Sequence, residues 1–76
     1  MRLTPASGAR LEVLPGHNIE SPLRRLVEPG DVVEILGHYW HDANWRVQIY
    51  YQGVTPGRHA LLSPYDLTDA NFKDVT

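Results

Sequence analysis

Six Gly and six Pro fall along this 76-residue chain at spacings that leave little room for helices. They stand at residues 5–8, at Pro15-Gly16, Pro22, Pro29-Gly30, Gly37, Gly53, Pro56-Gly57 and Pro64. Proline removes a backbone donor and glycine loosens the chain, so each mark ends or bends an element. The segments between them are mostly strand-sized, and several are rich in β-branched or aromatic residues, the composition of a pleated, half-buried surface. A chain this short forms one domain with one small core, expected over about residues 9–72 of the 1–76 domain. Cysteine is absent, which excludes disulfides, zinc–thiolate sites and thiol chemistry. Neither a repeat nor an interdomain linker is visible.

Individual segments carry more detail. In residues 9–14, Leu11 and Val13 share one face while Arg10 and Glu12 take the other, which predicts a first strand. Ser21-Pro22 reads as an N-cap followed by proline at the first helical position, opening one short turn with Leu23, Leu26 and Val27. Pro29-Gly30-Asp31 is a turn signal that feeds a second strand over residues 32–36. Gly37 is expected to end that strand and open a loop over residues 38–44. Trp45, Val47, Ile49 and Tyr51 then alternate with Arg46, Gln48 and Tyr50, the period of a half-buried antiparallel strand. Residues 53–57 form a tight connection, residues 58–63 return with Ala60 and Leu62 inward, and residues 63–67 form a 3₁₀ turn. A last strand is expected over residues 67–72, followed by a frayed tail from Lys73. The predicted core is Leu11, Val13, Val33, Ile35, Val47, Ile49, Ala60 and Leu62, with Trp45 partly buried.

Five short strands, a long first loop, a tight hairpin and a 3₁₀ turn before the fifth strand describe an all-β, SH3-like barrel. Residues 27–36, Val-Glu-Pro-Gly-Asp-Val-Val-Glu-Ile-Leu, are similar to the strand-opening motif of SH3 and bacterial SH3 (SH3b) domains. Asn44-Trp45-Arg46-Val47 resembles the start of their third strand, and residues 57–65 resemble their exit through the 3₁₀ turn. The resemblance is at the level of fold and implies no single activity. It departs from peptide-binding SH3 domains at the groove: the first strand has no Tyr, and Asn44 stands where those domains place a Trp.

The most unusual stretch is His38-Tyr39-Trp40-His41-Asp42, where aromatics and imidazoles occupy an expected loop. Tyr and Trp supply large, rigid contact area at little entropic cost. A protein-binding patch is therefore expected from Tyr39, Trp40 and His41, widened by Arg24 and Arg25 from the first loop, with Tyr50 and Tyr65 in addition. The alternative is that Tyr39 or Trp40 folds back to cap one end of the barrel. Two imidazoles three residues apart could bind a metal, but His17 and His59 would have to complete the set from other loops, so neither metal nor cofactor is expected.

Two other function classes compete. Val47-Gln48-Ile49-Tyr50 also occurs in plasmid-type (type II) dihydrofolate reductases, small SH3-like chains that build one active pore from four copies. In that family it precedes the 3₁₀ turn directly, whereas here it falls one hairpin earlier. Asp66 and Asp69 flank the 3₁₀ turn, and Asp66 is read as an Asx-type cap. Nucleic acid could lie on a face bearing Arg46, Tyr50 and Arg58. Seven Lys+Arg against nine Asp+Glu give a net charge of −2, which opposes such a surface. The expectation is a non-catalytic protein-binding module, a small adaptor or regulatory subunit. Its partner is another protein, or a second copy paired through an open barrel edge. No apolar run reaches membrane-spanning length and the opening residues carry no apolar leader, so a cytoplasmic setting is expected.

The strand period generates a direct test. Ile49→Ala should cost about 2–5 kcal/mol and Val47→Ala somewhat less, out of a net stability of about 4–11 kcal/mol for a chain of this length. An unchanged melting temperature for both variants would refute the assignment.

Overall fold

Alternating apolar and polar residues form five antiparallel strands: β1 (Arg10–Val13), β2 (Val32–His41), β3 (Asn44–Tyr51), β4 (Arg58–Leu62) and β5 (Phe72–Asp74). The computed structural model describes residues 1–41, 43–51 and 58–76, with Tyr39, His41, Tyr51 and Arg58 described by their backbone alone. The strands make one sheet in the order β4-β3-β2-β1-β5. Two 3₁₀ turns, η1 (Pro22–Arg25) and η2 (Pro64–Asp66), accompany the strands among the described residues. The fold is therefore all-β, with the strand order and the 3₁₀ turn of a small SH3-like barrel. No helix among the described residues is long and apolar enough to cross a membrane.

Period-two patterning decides the core. Leu11, Val13, Val33, Ile35, Val47, Ile49 and Leu62 are fully buried, while Ala60 is partly buried against them. Ile19, Leu23 and Val27 of the long β1–β2 connection join this cluster, as do Ala9, Leu67 and Phe72. Leu26, grouped with Leu23 and Val27 in the sequence, is exposed instead. Gly30 adopts φ 97, a left-handed conformation that L side chains avoid. There its N–H donates to the Val13 carbonyl at 2.8 Å, steering the connection back into β2.

Four expectations need correction. Gly37 does not end β2; the strand runs on to His41, and residues 38–41 pair with β3 instead of forming a loop. The last strand is Phe72–Asp74, later than expected, because residues 67–71 form a bonded turn in which Asn71 and Phe72 both donate to the Thr68 carbonyl. The tail is anchored: Lys73 and Asp74 pair with Glu12 and Leu11, and the Val75 N–H donates to the Arg10 carbonyl at 2.9 Å. Ser21 occupies the N-cap position of η1, but its side chain makes no capping bond. The expected connection at residues 53–57 lies outside the described residues.

Asp66 is not an Asx-type cap either. Its buried carboxylate reaches across to the first connection and accepts from the Glu20 N–H at 3.0 Å and the Ser21 N–H at 3.1 Å. Beside it, buried Asn71 accepts from the Asn18 N–H at 2.8 Å and donates to the Asp66 carbonyl at 2.8 Å. The cap of η2 is Ser63, whose hydroxyl accepts from the Tyr65 N–H at 3.3 Å. At the opposite terminus, the Met1 ammonium lies 2.8 Å from Asp69 and holds that carboxyl below its ordinary value. The stability from that contact is present at neutral pH and is lost as pH falls through the lowered value.

Removing the Asp66 carboxylate orphans two backbone donors. Asp66→Ala should lower stability by about 2–4 kcal/mol, and Asp66→Asn, which keeps one acceptor oxygen, by roughly half of that. Thermal melts of both variants check it; an Asp66→Ala protein that melts with the wild type removes the clamp from the stabilising interactions.

Candidate functional site

Register explains how the unusual aromatic stretch is displayed. Ile35 pairs with Ile49, but Gly37 pairs with Gln48, so one extra residue, Leu36, is inserted into β2. Such a bulge shifts the side-chain alternation by one. Before it, Val33 and Ile35 face the core; after it, His38 and Trp40 take that face, opposite Val47 and Trp45. The β2–β3 hairpin therefore continues its inner face beyond the barrel. Residues 37–41 of β2 have no β1 partner, and the β4 register stops at Val47↔Leu62, so neither neighbour covers the end of the hairpin.

The consequence is an exposed aromatic surface. Trp40 is 59% exposed and Trp45 56%, their rings meeting edge to face at 5.4 Å and 81°. Trp45 is thus not a core residue, although it keeps the parity of Val47 and Ile49. Trp40 does not cap the barrel. Turn η2 packs against β3 and brings Pro64 and Tyr65 to the same place. Tyr65 is 79% exposed, with the Arg2 guanidinium 5.0 Å above its ring. A groove of about 260 Å³ joins Trp40, Trp45, Pro64 and Tyr65 with Arg2 and Arg46. An adjoining apolar groove runs from Trp45 and Pro64 to Leu3 and His38. The His38 imidazole lies 3.2 Å from the Pro5 carbonyl, and the Leu3 N–H donates to the Leu67 carbonyl at 2.8 Å, tying the N-terminal segment beside the site.

The other expected site residues are distributed differently. The backbones of Tyr39 and His41 pair with Arg46 and Asn44, next to Trp40 in β2, while their side chains lie outside the described residues. Arg24 and Arg25 are exposed in η1. They are not among the residues that line the Trp40–Trp45 groove. Tyr50 sits in a separate recess with Arg10, Val32 and Glu34, its ring 5.4 Å from that of His59. Sequence reasoning missed Trp45, Arg2, Arg46 and Pro64 as members of the patch. Alternation assigned Trp45 inward, and nothing local reveals that the barrel ends before it.

The imidazoles are separated: His38 is at the N-terminal segment, His17 accepts from the Ile19 N–H at 3.4 Å, and His59 stands by Tyr50. Among the described residues no three His, Cys, Asp or Glu side chains are grouped to hold a metal ion. Val47-Gln48-Ile49-Tyr50 lies on β3, a whole strand before η2, with Val47 and Ile49 buried in the core. No protein-family model, curated protein or solved structure matches the chain.

The hairpin that carries the two Trp residues turns between paired His41 and Asn44, and there Ala43 has φ 61. A side chain in this left-handed region costs about 1–2 kcal/mol, of which glycine gives back a part through its freer unfolded chain. Ala43→Gly should therefore stabilise the protein by about 0.5–1 kcal/mol. A lowered melting temperature would show that the Ala43 methyl makes contacts worth more than the strain.

Proposed function

We propose that this chain is a non-catalytic protein-binding module, a small adaptor or regulatory subunit that engages its partner through Trp40, Trp45 and Tyr65. The observation that carries this reading is the exposure of both of the chain's tryptophans on one surface, edge to face, beside an exposed tyrosine. Large aromatics left in water at one place are the usual anchors of an interface, since covering them removes much apolar area with few side-chain rotors to freeze. Pro64 and the apolar wall at Leu3 extend the surface that a partner would cover. Tyr39 and His41 flank Trp40 in the same strand.

Both fluorophores of the indole type lie in the patch, so emission reports on it directly. Free protein should emit as water-exposed tryptophan, and a purified partner recovered from the source cells should shift that emission to the blue on titration. Trp40→Ala with Tyr65→Ala should keep the melting temperature within about 4 °C, because exposed side chains contribute little, and should weaken the partner at least about tenfold. Equal affinity of the folded double variant would remove the patch from the interface.

A further inference from the structure

Among the described residues, the charge lining the aromatic groove is opposite in sign to that of the chain. The chain as a whole carries −2. The groove at the Trp pair nevertheless has two guanidinium groups, Arg2 and Arg46, and no Asp or Glu among its described lining residues. Among the described residues neither Arg has a carboxylate within ion-pair distance; the ion pair present is Met1–Asp69. Arg46 donates one N–H to the Trp45 carbonyl at 2.9 Å, which holds its guanidinium at the backbone of β3. Arg2 is held by the Arg2↔Thr68 bridge and lies over the exposed Tyr65 ring. Two planar cations thus border an apolar anchor site, without carboxylate partners among the described residues. A guanidinium fork matches a carboxylate in two parallel hydrogen bonds.

We propose, building on the protein-binding reading, that the partner segment is acidic. It carries an apolar or aromatic side chain that packs on Trp40 and Trp45 beside Pro64, and a neighbouring carboxylate that accepts from Arg2 or Arg46. A single-stranded nucleic acid shares the liking for aromatics and Arg, but the surroundings oppose it. The neighbouring groove at Tyr65 is lined by Glu20 and by Asp69, the latter paired with the Met1 ammonium, and has no Lys or Arg among its described lining residues, so a phosphate backbone leaving the Trp pair meets no further cationic side chain there. A peptide needs one acidic position at the Arg end and none beyond it.

Selection of a random-peptide phage library on the full chain tests this. The parallel targets are Trp40→Ala with Trp45→Ala, Arg2→Glu, Arg46→Glu and the conservative Arg2→Lys, each first shown folded by its melt. Peptides enriched on the wild type and lost on the Trp variant should carry Asp or Glu beside an apolar residue. Their affinity should fall about 10- to 100-fold on one or both Arg→Glu proteins and far less on Arg2→Lys. Peptides that need the Trp pair but show no acidic excess, or ignore both charge reversals, would overturn the acidic partner and leave the protein-binding reading standing. No Trp-dependent peptide at all would remove both. Oligothymidylate binding the wild type more tightly than any selected peptide, with loss on the Trp variant, would replace the peptide by nucleic acid.

Discussion

Between β1 and β2 the chain travels from Val13 to Val32 with only one short 3₁₀ turn, yet Ile19, Leu23 and Val27 of this connection are core residues. Strand pairing cannot hold such a segment, and connections this long are uncommon in small domains unless something fastens them. The Asp66 carboxylate and the Asn71 amide do so. They satisfy the N–H groups of Asn18, Glu20 and Ser21, and Asn71 closes the pair by donating to the Asp66 carbonyl. Buried polar groups are tolerable when each finds a partner, and here the partners are backbone groups that would otherwise be orphaned. The same two residues bracket the turn that leads from η2 to β5. One small polar cluster therefore ties the first connection to the last.

That cluster also bears on the candidate site. Asp66 is the last residue of η2, and Pro64 and Tyr65 precede it in the same turn. Holding Asp66 against the first connection sets the position of η2 against β3, and with it the wall of the groove opposite the two Trp residues. The other wall depends on the extra residue Leu36. Without the shift in alternation that it introduces, the far half of β2 would turn Trp40 to the opposite face of the hairpin from Trp45. The site is thus assembled from a bulge, the overlong hairpin that contains it, and a clamped 3₁₀ turn remote from both in sequence.

The electrostatic character of the patch arises from the same geometry. A modest number of charges on a small surface can be segregated by where the strands carry them. Arg46 alternates outward on β3, and Arg2 is brought in by a terminal bridge to Thr68. Net charge describes the whole chain and is silent about such local asymmetry; a partner senses the local field.

Most of the barrel was legible in the residues themselves. Alternation at Leu11/Val13, Val33/Ile35 and Val47/Ile49 is a local signal, since a strand has period two wherever it lies, and these residues are buried as expected. The proline and glycine marks likewise predicted the turns at residues 29–31 and 63–67. The residues that went astray are those whose environment is set by distant neighbours. Gly37 reads as a terminator, but continuous pairing with β3 carried β2 past it. Trp45 has the parity of a core residue, but β1 and β4 end before it, and burial needs a neighbour as well as a direction. Asp66 resembles a local cap until the first connection folds against it. Pattern along a chain determines which way a side chain points; whether anything stands in front of it depends on where the other strands stop, a length that no single segment encodes.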